Sequence, residues 1–268
     1  MSQSSPTARR SETGVALAIV VWFIAGMALL VSGIVSDARM GTRMAQLHYF
    51  KAQAAAAGDG AINLALAEQM RRKSSGQGGG SRSTNYRVGD KEVVIRMIPA
   101  GLFVNLSSAD AAMLNLMFAS FASGVRRSPD QLARAVLDYR DGTQGTRGKA
   151  FYAIEDILRV PGVDRGVFDA VRDFIVVDAL AGALRSESLS MEQRVAQLSV
   201  ALDDDESLTS GFVEPAADKL RVDALVMMGD QYWLRRQWVS LAKSETSELP
   251  WRVMRKEAAR PASIGRQR

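Results

Sequence analysis

The stretch that decides the fold is VALAIVVWFIAGMALLVSGIV, residues 15–35, which carries no charged side chain over 21 residues. The uncharged sequence extends slightly further, from Thr13 to Ser36. Because a helix rises about 1.5 Å per residue, this stretch is long enough to cross the roughly 30 Å hydrocarbon core of a bilayer. We therefore predict a membrane-spanning helix at 15–35, anchored by the apolar side chains of Val15, Leu17, Val21, Trp22, Phe23, Leu29, Leu30 and Val35.

The charges on either side of this helix predict its orientation. Arg9 and Arg10 precede it, whereas Asp37 follows it together with Arg39 and Arg43. Since a short basic flank stays in the cytoplasm, most of the chain is expected outside the cytoplasm. A secretory signal has a shorter apolar core, about 7–15 residues, closed by a small-x-small cleavage site. The segment is therefore expected to remain part of the protein as a single membrane span.

Composition excludes several classes of enzyme. The chain has 268 residues, 47% of them hydrophobic, with no Cys and one His, His48. Without Cys there is no thiolate zinc site, iron–sulfur cluster or Cys nucleophile, and one His makes a histidine-based metal site or triad hard to build. We expect a globular protein that is not an enzyme and has no cofactor, with His48 in a structural role.

The excess of positive charge lies at the C-terminus. Residues 251–268 carry six basic groups and one acid, and the formal net charge of the whole chain is +5. Residues 1–250 therefore carry no formal net charge, so nucleic-acid binding is not expected. Residues 257–268 are predicted to form a basic flexible tail. A contact with phosphate or anionic lipid is the alternative for this tail.

Helical periodicity continues beyond the membrane segment to about Met70. We expect one helix, interrupted or bent near Gly58 and Gly60, whose outer half carries an apolar stripe. A folded head or a coiled-coil partner must cover that stripe. The sequence SSGQGGGS, residues 74–81, then reads as a flexible linker.

Strands are predicted on both sides of a helical block. Alternating residues predict strands at 84–88 and 92–98, the second central because it is apolar on both faces, and a hairpin around Gly229 and Asp230. Another strand is expected at 251–254. Between them, Ser107 or Ser108 caps a helix through Phe121, and Ser128 starts a helix ending near Tyr139. Further helices are predicted at 154–158, at 164–174 and, from a Ser190/Gln193 capping box, to Leu202.

The N-terminus resembles a type IV prepilin leader: a basic head, then Gly14, then an apolar helix. The resemblance implies cleavage by a prepilin peptidase between Gly14 and Val15, and an uncleaved signal anchor is the alternative. Most pilins and pseudopilins have Glu at the fifth mature position, where this chain has Ile19. Among type II secretion pseudopilins, the K class typically lacks this Glu.

Three other segments, in the same order along the chain, resemble the minor pseudopilin K family of type II secretion. They are VNLS at 104–107, AVLDYRD at 135–141 and IEDILRVPGV at 154–163. The resemblance implies an α+β fold with a long pilin-like N-terminal helix packed on an antiparallel sheet and an inserted all-α subdomain. The expected parts are a leader (1–14), a transmembrane helix (15–35), its periplasmic continuation (36–73), linker and first strands (74–105), the inserted all-α domain (106–210), C-terminal strands (211–256) and the tail (257–268).

The resemblance also implies a function. Such a protein sits in the bacterial inner membrane with a periplasmic head and helps to assemble the pseudopilus that drives secretion across the outer membrane. It would cap the pseudopilus tip with minor pseudopilins of classes I and J, among other pseudopilus subunits.

Two alternative functions stay open: an uncleaved periplasmic scaffold and a DNA-uptake receptor. The turn at 158–163 resembles half of a helix-hairpin-helix, which would suggest a membrane-anchored DNA-uptake receptor, although Asp156, Asp164 and Asp169 would repel phosphate.

Relatives of the K class bind calcium in the inserted domain, and calcium prefers clustered carboxylates. The candidate ligands here are Asp138, Asp141, Asp203, Asp204, Asp205 and Glu206.

Overall fold

The computed structural model describes residues 12–75, 83–122, 127–142, 148–177, 190–202, 218–242 and 249–262. The chain divides into two compact units, Met1–Ala52 and Gln53–Arg268. The elements in chain order are α1 (Glu12–Ser74), β1 (Ser83–Val88), β2 (Lys91–Pro99), β3 (Val104–Asn105), α2 (Ala111–Phe121), α3 (Pro129–Asp141), α4 (Arg165–Val171), β4 (Ile175–Val176), α5 (Met191–Leu202), β5 (Lys219–Met228), β6 (Gln231–Ser240), β7 (Arg252–Lys256) and β8 (Arg260–Pro261), with 3-10 turns at Ala100–Leu102 and Ile154–Arg159.

The helix α1 is longer than the sequence predicts. It runs for 63 residues without a break through Gly58 and Gly60, so the predicted interruption there is wrong. It ends at Ser74, with Arg71, Arg72 and Lys73 in its last turn, where cations interact favourably with the helix dipole. Within the described residues, this is the one helix long and apolar enough to cross a membrane.

The second unit is built on a six-stranded antiparallel sheet with the order β1-β2-β5-β6-β7, and β8 pairs with β6. Gly89 and Gly229 occupy the β1–β2 and β5–β6 turns with φ of +62° and +61°, a conformation that glycine adopts without strain. β2 lies between β1 and β5, as its apolar pattern predicts, and the β5–β6 hairpin is also confirmed.

One face of the sheet packs against the end of α1. A side chain at Gly58 would meet Arg235 and Ala224, and one at Gly60 would meet Val88. Alternate residues of β2 and β5 point to this face and bury their apolar side chains. The buried residues of this layer are Val93, Ile95, Val222, Ala224 and Val226 from the strands, and Ala54, Ala57, Ala61, Ile62, Ala65 and Leu66 from α1.

The opposite face packs against a mainly helical module inserted between β2 and β5. Phe103 and Trp238 meet edge to face at this boundary, with ring centroids 5.2 Å apart. The boundary core also includes Ile98, Leu102, Val176 and Leu198. The module has a core of its own among α2, α3, α4 and α5. Its description as all-α needs one correction, because β4 pairs with β3 in a short parallel ladder.

Helix caps explain where most module helices begin. Asp110, rather than Ser107 or Ser108, caps α2 by accepting a hydrogen bond from the Met113 N–H at 2.8 Å. The predicted starts at Ser128 and Ser190 are confirmed, each by a reciprocal capping box. Asp164 likewise caps α4, which ends at Val171 rather than at the predicted residue 174.

The predicted flexible tail is wrong over its described part. Residues 257–262 leave β7 and return to β6, where Arg260 pairs with Leu234 and Pro261 with Trp233. Ala259 is buried. Residues 263–268 lie outside the described part of the chain, as do 1–11 of the leader, most of the linker 74–81, and Asp203, Asp204, Asp205 and Glu206.

Candidate functional site

The predicted anchor is a helix whose apolar side chains are exposed. Leu17 is 68% exposed, Ile19 64% and Trp22 83%. A helix that is apolar all round is stable only when lipid or other protein surrounds it. The same exposure holds for the remaining anchor residues with described side chains: Val21, Phe23, Leu29, Leu30 and Val35.

The predicted cleavage position lies at the start of this helix. Gly14 and Val15 are the third and fourth residues of α1, which begins at Glu12. Cleavage between Gly14 and Val15 stays a prediction, because no feature of the fold depends on it. Ile19 places an apolar side chain where a carboxylate would be costly in lipid.

A charged clamp fixes the end of α1 on the sheet. Arg235 Nε donates to Asp59 Oδ1 at 2.6 Å and Arg235 Nη2 donates to Oδ2 at 3.0 Å, which is a bidentate pair. Gln237 Nε2 donates to the same Oδ1 at 2.7 Å, and Lys256 Nζ lies 3.6 Å from Oδ2. Burial alone would raise the pKa of Asp59, but these partners outweigh it and lower that pKa. We call Asp59, Arg235, Gln237 and Lys256 the α1 clamp.

Gly58 makes the clamp possible. A Cβ atom at this position would lie 2.7 Å from Arg235 Cβ and 2.9 Å from Arg235 Cγ, closer than carbon atoms can pack. The missing side chain lets the Arg235 stem lie against the helix backbone. The glycine that the sequence suggests as a helix breaker therefore serves close helix–sheet packing.

A second polar contact lies further along α1. Tyr86 on β1 donates its hydroxyl to Glu68 Oε2 at 2.8 Å, and Arg72 pairs with the other Glu68 oxygen. Burial is the main cause that raises the pKa of Tyr86, and the neighbouring Glu68 carboxylate raises it further, to about 12. Tyr86 therefore stays protonated and keeps its donor role at neutral pH.

The opposite face of the sheet carries a buried charge network. Arg236 holds Asp223 with Nε–Oδ1 and Nη2–Oδ2 distances of 2.7 and 2.9 Å, and its Nη1 donates to Asp173 Oδ1 at 2.6 Å. Arg221 Nη1 donates to the Asp173 carbonyl at 2.7 Å. Arg260 Nη2 reaches Asp173 Oδ1 at 3.3 Å. We call Asp173, Arg221, Asp223, Arg236 and Arg260 the module lock, because Asp173 belongs to the module and the others to the sheet.

The module lock keeps its carboxylates ionised. Burial would raise the pKa of Asp173, but Arg236, Arg221 and Arg260 outweigh it and lower that pKa to about 2. Burial and the neighbouring Arg236 lower the pKa of Arg221 to about 10, so Arg221 also stays charged at neutral pH. The Arg221 guanidinium lies 4.4 Å from the centre of the Phe103 ring. Paired in this way, the acids hold the module in place, and none is poised to act as a base.

The calcium candidates do not converge where they are described. Arg140 Nε donates to Asp141 Oδ1 at 2.7 Å, and this pairing lowers the pKa of Asp141. Among the described residues, no group of three or more His, Cys, Asp or Glu side chains could hold a metal ion. Asp203, Asp204, Asp205 and Glu206 lie outside the described residues, so calcium binding stays a prediction.

The turn proposed for DNA contact is organised by its own protein groups. Gly162 has a φ of +94°, and Arg127 Nη1 donates to the Pro161 carbonyl at 3.3 Å. The Asp164 carboxylate accepts the Val167 N–H at 2.9 Å, at the start of α4 where a phosphate would bind. The preceding element is a 3-10 turn. These contacts favour a connector between helices over a phosphate site.

Sequence reasoning missed both charge clusters. Only the module lock has a signal, in LRVDALV, residues 220–226, where Arg221 and Asp223 occupy the same face of a strand that is otherwise apolar. Opposite charges two residues apart in a buried strand predict an ion pair, but not its partners on distant elements. Asp59 lies in the alanine-rich part of α1 and carries no comparable signal.

No protein-family model matches the chain, and no curated protein matches it either. The chain is similar to a solved structure, the crystal structure of the GspK-GspI-GspJ complex from the type 2 secretion system of enterotoxigenic Escherichia coli. The sequence identity is 10% and the TM-score is 0.46, with 82% of this chain and 99% of that chain covered.

Proposed function

We propose that this protein is a minor pseudopilin of the K class, which assembles at the tip of a type II secretion pseudopilus and is not an enzyme. The observation that carries the proposal is the helix α1. Its first part is apolar and exposed, and its last part is clamped to an antiparallel sheet that carries an inserted helical module. The proposal rests on this chain's own residues and fold.

The proposed mechanism is assembly. Before assembly, α1 holds the protein in the inner membrane, with the head in the periplasm. The apolar side chains that face lipid then pack against the helices of other pseudopilus subunits, because either environment removes them from water. Ile19 supplies no carboxylate to pair with a neighbouring N-terminal amine, so this subunit is exempt from that pairing. The partners are minor pseudopilins of classes I and J.

The first test is the mature N-terminus. The full chain is expressed in bacteria with and without a prepilin peptidase, and its N-terminal sequence and intact mass are measured. A start at Val15 that depends on the peptidase is the expected result. An intact N-terminus under both conditions would overturn the cleavage proposal and favour an uncleaved scaffold or a DNA receptor.

A matched pair of variants sharpens this test. Gly14→Leu is expected to block processing, whereas Gly26→Leu on the same helix is expected to leave it unchanged, since a Cβ at Gly26 meets nothing within 4 Å. Normal processing of Gly14→Leu would contradict the assignment of the cleavage site. Equal loss in both variants would show an effect on membrane insertion and not on cleavage.

The tip position is tested through Ile19. Ile19→Glu should leave processing unchanged but displace the subunit from the tip, measured by co-purification with class I and class J subunits. Unchanged co-purification would show that the missing carboxylate does not set the position.

A further inference from the structure

The segment 256–262 contacts both charge clusters, although the sequence suggests a solvated tail. It is held on β6 by backbone hydrogen bonds: the Glu257 N–H donates to the Arg236 carbonyl at 3.0 Å, and the Ala262 N–H donates to the Tyr232 carbonyl at 2.8 Å. We call this segment the strap.

On one face of the sheet, the strap completes the α1 clamp. Lys256 Nζ lies 3.6 Å from Asp59 Oδ2. The Glu257 carbonyl accepts a hydrogen bond from Arg235 Nη1, whose guanidinium also grips Asp59. Two consecutive strap residues therefore support the contact that holds α1.

On the other face, the strap completes the module lock. Arg260 Nη2 lies 3.3 Å from Asp173 Oδ1. The Glu257 carboxylate accepts a hydrogen bond from Trp238 Nε1 at 3.3 Å and lies 3.9 Å from Arg236 Nη1. Glu257 thus serves the α1 face with its backbone and the module face with its side chain.

We propose that the strap couples the docking of α1 to the docking of the helical module. The strap is the two-state element, either seated along β6 or released from it, and contacts on each face stabilise the seated state. Loss of the α1 contacts therefore releases the strap more often, which removes Arg260 and Glu257 from the module lock. Linkage makes the effect reciprocal, so loosening the module also loosens α1. This coupling does not depend on the proposed function.

The test is hydrogen exchange of the full chain in detergent, read at two reporters. The module reporter is the pair of amides of Val104 and Leu106, which donate to the Phe174 and Val176 carbonyls at 2.9 Å each, beside Asp173. The α1 reporter is the set of amides in the helical segment 54–66, one face of which is buried against the sheet. Lys256→Met removes the strap charge on the α1 face and keeps an apolar stem.

Lys256→Met is expected to accelerate exchange at the module reporter by up to about fivefold, because removing a half-exposed ion pair shifts the strap by no more than that pair contributes. Arg260→Met is expected to do the same at the α1 reporter. The control Glu92→Gln removes an exposed ion pair with Arg87 on the first hairpin and should change neither reporter. Exchange that changes only on the mutated face in both variants would overturn the proposal.

A double variant separates the strap from the sheet as the path of coupling. In an Arg260→Met, Glu257→Gln background, the strap no longer holds the module face, so adding Lys256→Met should leave the module reporter unchanged. A further acceleration of the same size there would show that coupling runs through β6 itself, where Arg235 and Arg236 are neighbours, and would overturn the role of the strap. Circular dichroism of each variant establishes that the fold is retained. If Lys256→Met does not fold, the milder Lys256→Gln gives the same comparison.

Discussion

Replacing Gly58 with alanine tests how closely α1 and the sheet must approach. Alanine in a helix is more favourable than glycine by about 1 kcal/mol, so propensity alone predicts a stabilised protein. The new methyl group would instead lie 2.7 Å from Arg235 Cβ, 2.9 Å from Arg235 Cγ and 3.5 Å from Ala224 Cβ. Carbon atoms pack at about 3.5–4.0 Å, so helix and strand must separate by about 1 Å.

That separation has two costs. Overpacking of this kind destabilises by about 1–3 kcal/mol. It also stretches the bond from Arg235 Nε to Asp59 Oδ1 beyond its 2.6 Å, and a hydrogen bond to a charged group contributes about 1.5–3 kcal/mol. After subtracting the gain of about 1 kcal/mol in helix propensity, we expect Gly58→Ala to lower the free energy of unfolding by about 1.5–5 kcal/mol.

The matched control is Gly60→Ala, two residues along the same helix. Its methyl group would meet Val88 Cγ1 at 3.4 Å, close to ordinary packing, so the propensity gain should remain. We expect Gly60→Ala to be neutral or to stabilise by up to about 1 kcal/mol. The two variants make the same chemical change and should differ in sign.

The assay is urea unfolding of the full chain in detergent, followed by tryptophan fluorescence. Trp233, Trp238 and Trp251 are buried in the head and report its unfolding. A Trp22→Phe background removes the signal of the exposed apolar part of α1. A Gly58→Ala variant as stable as Gly60→Ala, or more stable than the parent, would refute the close-approach argument.

Three further outcomes are expected. Asp110→Ala should destabilise by about 1 kcal/mol in the same assay because it removes the α2 cap, whereas Ser107→Ala, whose buried hydroxyl bonds to no described residue, should change little; equal losses would contradict the cap. The lowered pKa of Asp173 predicts that stability present above about pH 4 falls as the pH drops towards about 2. Because the Asp173 side chain is 36% exposed and solvent screens its ion pairs, the loss should be no more than about 1 kcal/mol. Asp173→Asn should flatten this loss, and an unchanged slope would contradict it. Calcium held by the acidic run 203–206 would stabilise the folded protein, so chelating calcium should lower the thermal midpoint, and an unchanged midpoint would contradict the calcium prediction.

Local signals predicted the elements that local forces specify. The hairpin turn at Gly229 and the capping boxes at Ser128 and Ser190 form as predicted, because their interactions join residues a few positions apart. The α2 cap was misplaced because Ser107, Ser108 and Asp110 all suit the role. Only the path of the chain after β3 decides which of them meets a free helix N–H.

The α1 clamp and the module lock could not be predicted in the same way. Arg235 and Asp59 are 176 residues apart in sequence, and Arg260 and Asp173 are 87 apart. No periodicity links such positions, because the strand order brings them together. The two-residue strand β8 is also too short to give an alternation pattern.

The sequence by itself determined the long apolar helix, the main hairpins and the helices between them, since hydrophobic period, length and charge act along the chain. Tertiary structure decided that Gly58 is a contact point rather than a break, and that the basic residues before 263 form a strap rather than a free tail. The physical reason is that burial and ion pairing depend on which surfaces meet. Lys256 and Arg260 find carboxylates only where α1 and the module dock on opposite faces of one sheet.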